Sequence, residues 1–155
     1  MRGGFYALSA FITGFVVAQI LKVLLGFIRA KKAGKTWGIK ELKMSLWKSG
    51  GMPSGHSSSC LALTTFLGLT EGFDSVAFAL AASMSIIIIY DAVNVRHAVG
   101  EHGKLLNEIA RSDKNERTNP QKLVEGHTVP QAIAGIILGV IIGYIFFVFF
   151  KMKLL

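Results

Sequence analysis

The sequence is poor in cysteine, proline, histidine and acid: one Cys, three Pro, four His and nine Asp or Glu among 155 residues. The lone Cys60 can close no disulfide within the chain and cannot build a thiolate metal cluster. Standing in an apolar stretch, it reads as a small buried hydrophobe. Against the few acids stand 17 Lys and Arg, a net charge of +8. That excess needs no nucleic acid, because a basic rim beside anionic lipid headgroups accounts for it, so no nucleic-acid partner is expected. Polar surface is also scarce. With 52% hydrophobic residues and a mean hydropathy of +0.51, the composition excludes an ordinary soluble globule and leaves room for one membrane domain over residues 1–155.

Four apolar segments are present: Phe5 to Ile28, Ser57 to Leu69, Val76 to Val95 and Val129 to Phe150. The first, third and fourth reach the roughly 20 residues that cross ~30 Å of hydrocarbon. The second reaches that length only if it starts near Ser54, with Pro53 at its N-terminus, where a missing N–H costs nothing. The first is too long for a cleaved signal peptide, carries Gln19 and Lys22, and lacks a small-residue cleavage pattern. The expected fold is all-α: a polytopic membrane bundle of about four helices near 5–28, 54–70, 75–95 and 128–150, with cytoplasmic loops 29–53 and 96–127. Within the second loop, Arg111 to Pro120 alternates charge without apolar periodicity and reads as a solvated linker.

Charge placement orients the bundle. Seven Lys or Arg lie between Arg29 and Lys48 and six between Arg96 and Lys122. Helices of alternating direction put both segments on one side, and the positive-inside rule makes that side cytoplasmic, with both termini outside.

Chemistry concentrates at three places. Ser49-Gly50-Gly51-Met52-Pro53-Ser54-Gly55-His56 leads into the second helix, whose unpaired N–H groups and partial positive charge suit a phosphate. His56 stands in the first turn, placed to act as a general acid near neutral pH. Glu125-Gly126-His127-Thr128-Val129-Pro130-Gln131 opens the fourth helix at the same face, so two histidines converge. Lys22 lies inside the first helix and Arg29 two turns on, about 10 Å along the axis and on one face. An ionisable group at that depth is a functional candidate unless it snorkels to the headgroups. Asp91, close before Arg96 and His97, is read either as an ion-pair partner of Lys22 or as a catalytic acid.

These residues resemble the type 2 phosphatidic acid phosphatase (PAP2) superfamily, which includes vanadium haloperoxidases. Lys22 and Arg29 fit the Lys-x6-Arg start of its first signature, and Pro53-Ser54-Gly55-His56 fits the second. His127-x3-Gln131, running into a small-residue helix, is similar to the end of the third. Gly-Gly-Met-Pro-Ser-x-His-Ser, Asp-Ala-x-x-Val-Arg and Gly-His-Thr together look like the divergent branch of that superfamily. The pattern departs twice: Gln131 stands where the family has Asp, and Gln121 where it has Arg. Arg96 is the candidate replacement cation, and Arg96-x5-His102 is a rival for the third signature.

The resemblance implies His127 as the nucleophile that takes the phosphoryl group and His56 as the acid that protonates the leaving alcohol. It implies Lys22, Arg29, Ser54 and the Gly55 backbone, with Arg96, as the phosphate cradle. Asp91 is expected to orient His127, directly or through Arg96, with Gln131 in support. Such chemistry asks for neither metal nor cofactor, since a neutral imidazole attacks unaided and cations with N–H donors carry the transition-state charge. The expected activity is hydrolysis of a lipid phosphate, a phospholipid or isoprenoid phosphate, through a phosphohistidine at the cytoplasmic face of a bacterial plasma membrane. The alternative is a lipid-phosphate binder or transporter using the same pocket. Gly135, Gly139 and Gly143 form a small-residue stripe expected to pack within the bundle, a homodimer being the other use.

Overall fold

A computed structural model describes residues 3–47, 51–112 and 127–153. Among them every regular element is helical: α1 (Gly3–Lys32), α2 (Ile39–Trp47), α3 (Gly55–Glu71), α4 (Val76–Tyr90), a π-helical turn (Asp91–Val95), α5 (Arg96–Ser112) and α6 (Val129–Met152). The expected all-α membrane bundle of about four helices is what forms. Three helical runs are long and apolar enough to span a bilayer: Gly3–Lys32, Val76–Ile109 and Val129–Met152. Their outward faces carry Phe5, Leu8, Ile20, Leu80, Ile86, Ile137 and Phe149, all exposed, which suits hydrocarbon rather than water.

The fourth helix, α3, has 17 residues. Its length matters less because it lies in the middle of the bundle, packed most extensively on α6 and then on α1 and α4. Small residues make this possible. A Cβ on Gly135 would lie 2.5 Å from the Ser54 carbonyl, and one on Gly143 would lie 2.6 Å from that of Ala62. One on Gly139 would run into the Ser58 carbonyl. From α1, a Cβ on Gly14 would stand 2.9 Å from the same Ser58 oxygen. Without a hydrophobic drive between helices in lipid, such backbone approach supplies the packing. The glycine stripe is therefore used inside the bundle, between α6 and α3.

The contacts also fix direction. Gly51, before α3, meets the Lys22 side chain, whereas Gly3 lies near Glu71 and Phe150. Thus α1 runs antiparallel to α3 and α6, and the two sequence histidine motifs share one end of the bundle. The opposite end is closed by Ala7, Ala10, Ala62, Phe66 and Ile142, with the Phe150 ring against both Tyr6 and Phe66. A buried hydrogen bond of 2.8 Å between Thr64 Oγ1 and Ser85 Oγ ties α4 to α3.

Two expected loops contain helices. Residues 29–53 include the last turn of α1 and then α2, and the Trp37 ring between them folds back over Gly26 and against Phe27. The third apolar segment does not end at a loop at Val95. It passes through the π turn into α5, whose apolar positions recur at helical spacing between charges. Of the segment read as a linker, Arg111 and Ser112 end α5, and residues 113–120 lie outside the described residues, as do Gln121, Glu125 and Gly126.

Candidate functional site

Three helix ends meet where the sequence placed its histidines. Ser54 caps α3 from an extended backbone, its Oγ accepting from the Ser57 N–H at 3.3 Å and from the Ser57 hydroxyl at 3.0 Å. The Ser54 N–H donates to the Gln131 carbonyl at 3.1 Å, which binds the start of α3 to the first turn of α6. The His127 N–H donates to the Ala92 carbonyl at 3.0 Å, which binds the approach to α6 to the π turn. In that turn the hydrogen bond closes from Arg96 N–H to the Asp91 carbonyl, one residue wider than an α-turn.

Gln131 sets the His127 ring. Its Oε1 accepts from the Thr128 N–H at 3.1 Å, which fixes the amide with oxygen towards the helix start. The same oxygen stands 3.4 Å from His127 Nδ1. An acceptor there selects the tautomer with hydrogen on Nδ1 and leaves the Nε2 lone pair available for attack. His127 is buried, 5% exposed. Burial lowers its pKa below the ordinary histidine value; the Gln131 contact opposes this, and the nearby positive charges of Lys22, His56 and Arg96 add to the lowering. At neutral pH the imidazole is uncharged, the form a nucleophile needs.

The cations come from two directions. Lys22 is half-buried, and its aliphatic stem packs on Gly51, which sits at φ +93° where only glycine is unstrained. Arg96 donates through Nε to Asp91 Oδ2 at 2.6 Å across the π turn. At the second position of α3, His56 has its pKa lowered from the ordinary histidine value first by partial burial and then by the positive charges of Arg96 and Lys22, with Asp91 opposing. The N–H groups of Gly55 and His56 lie in the first turn, where no carbonyl precedes them in the helix.

The Asp91 carboxylate pairs with Arg96, one of the two routes expected for it, and not with Lys22, while Gln131 stands beside His127 Nδ1 as the expected support. Ser54 is fully buried, and its Oγ accepts from both the Ser57 N–H and the Ser57 hydroxyl, which holds the loop. Arg29 is exposed two turns beyond Lys22 on α1. His102 lies exposed on α5. The backbone bonds from Ser54 to Gln131 and from His127 to Ala92 hold His127 near the start of α3, where His56 stands.

A family model described as the Divergent PAP2 family matches residues 5–142. The chain belongs to the divergent PAP2 family. It is also similar to the uncharacterized membrane protein YuiD of Bacillus subtilis (strain 168), 27% identical over 159 residues, covering 91% of this chain and 96% of that one. No solved structure matches. Within this divergent PAP2 chain, two contributors escaped sequence reasoning. The Ala92 carbonyl leaves no signal in residue type, since it acts through backbone. The Thr128-x-x-Gln131 spacing is a capping-box pattern and was there to be read.

Proposed function

We propose that this membrane protein hydrolyses a lipid phosphate without a metal, through a phosphohistidine at His127. The observation that supports it is the His127 ring, held by Gln131 with Nε2 free, in a cluster with His56, Lys22 and Arg96. In that reaction Nε2 attacks phosphorus, and the ester oxygen leaves with a proton from His56. Water then displaces His127 from phosphorus and passes a proton back to His56. Lys22, Arg96 and the first-turn N–H groups offset charge on the equatorial oxygens. A site at the end of a membrane bundle meets lipid phosphates at headgroup depth. The basic loops favour the cytoplasmic face for it, and the Bacillus subtilis relative favours a bacterial plasma membrane.

One feature favours a second reading. Gln131 is neutral, and among the described residues it is the side chain beside Nδ1, where a carboxylate would stabilise an imidazolium; a pocket that binds lipid phosphate without turnover fits that. Phosphate release from a panel of phospholipid and isoprenoid phosphates, by purified protein in detergent with EDTA, separates the two. Turnover lost in His127→Ala supports hydrolysis. Saturable binding of the same lipids without release supports the binder, and turnover only with added divalent metal removes the mechanism.

A further inference from the structure

The face of α5 is not explained by the bundle. Among the described residues it packs on the π turn and on no other helix to a comparable extent. Val95, Val99, Leu106 and Ile109 recur at helical spacing and are 52%, 52%, 65% and 65% exposed. His102 falls within this stripe, Arg96 stands at its flank, and Glu101, Lys104 and Glu108 lie on the other side of the same helix, with Lys104 Nζ 2.7 Å from Glu101 Oε1. An apolar stripe more than half exposed, opposite a charged face, is the pattern of a helix lying in a membrane interface.

Length and continuity say what covers it. From Val76 to Ile109 the helical run is 34 residues. At 1.5 Å per residue that is about 50 Å, against ~30 Å of hydrocarbon. The excess of roughly 20 Å is about the length of α5, so α5 begins where α4 leaves the hydrocarbon, at headgroup depth. The junction is the π turn, a place where a helix can change direction. We infer that α5 is an interfacial helix, its Val95–Val99–Leu106–Ile109 stripe seated in the leaflet on the side of His56 and His127. Its charged face, with Lys104, and Arg96 at the flank meet lipid headgroups and water. Seated so, α5 holds the π turn, and with it Arg96 and the Ala92 carbonyl, at a fixed depth beside the site. This placement is independent of whether the site turns over.

The test is spin-label accessibility of the full chain in phosphatidylcholine–phosphatidylglycerol vesicles, with labels at Val99→Cys, Leu106→Cys and Lys104→Cys in a Cys60→Ala background. The expected result is a ratio of oxygen to aqueous nickel-chelate accessibility several-fold higher at positions 99 and 106 than at 104. Equal nickel access at 106 and 104 overturns it, leaving α5 in water. Exclusion of both reagents at 106 also overturns it, since the stripe is then covered by protein, either a second copy or residues 113–126. Quenching of a Leu106→Trp variant by brominated lipid, in a Trp37→Phe and Trp47→Phe background, is the second readout, and its absence in vesicles overturns the proposal in the same way.

Discussion

At residue scale the decisive pair is His127 and Gln131. Loss of the amide in Gln131→Ala removes both the Thr128 cap and the acceptor beside Nδ1, so turnover should fall about 10- to 100-fold, the usual cost of losing a group that orients a functional histidine. Gln131→Asp should instead place negative charge beside Nδ1 and raise the His127 pKa. The acid limb of kcat/KM, which in the natural protein should lie below about pH 6.5 because burial lowers His127, should then move to higher pH. An acid limb that stays put in Gln131→Asp would remove His127 as the titrating nucleophile. Stability follows the same group. The unfolded chain binds the extra proton between the lowered folded value and about 6.5, so this contribution is fully present above about 6.5. It is lost as pH falls through the folded value, and His127→Asn should flatten that part of the thermal-stability profile.

At the scale of elements, α3 is held by backbone approach rather than by side-chain bulk. Gly139→Ala pushes a methyl into the Ser58 carbonyl, with Leu61 Cβ and the Ala62 nitrogen also within 3.0 Å. The expected cost is about 1–3 kcal/mol, as for overpacking elsewhere, read as a lower Tm in detergent. Because the same contact registers α6 against α3, and so Gln131 against Ser54, activity should fall with it. A variant that loses only self-association while keeping Tm and turnover would assign the stripe to a dimer. By contrast, Ser85→Ala removes one interhelical hydrogen bond but leaves Thr64 bonded to the Cys60 carbonyl, so a loss near ~0.6 kcal/mol is expected.

For the whole molecule, the antiparallel run of α1 against α3 and α6 puts Gly3, Glu71 and Phe150 at one end and Lys22, Gly51, Ser54 and His127 at the other. Lys35→Cys and Lys114→Cys should therefore label from the same side in intact cells, the cytoplasmic one, and Lys153→Cys from the opposite side. Labelling of the first two from opposite sides would break the shared site, since His56 and His127 could not then meet.

Apolar length and charge asymmetry were enough to read a membrane bundle of about four helices, because hydrocarbon demands long uninterrupted helices and their ends collect cations. The motifs at Ser54–His56 and His127–Gln131, with Lys22 and Arg29, were enough to suggest the family that the match over residues 5–142 shows. Other features came only from packing. That α3 is the central helix depends on glycines of α6 and α1 meeting its backbone. The partner of Asp91 depends on a π turn that brings Arg96 round by one extra residue. The orientation of His127 depends on which oxygen the Thr128 amide holds. Each is a matter of where backbone groups lie in space, and the hydropathy and motif pattern of a chain carries no record of that.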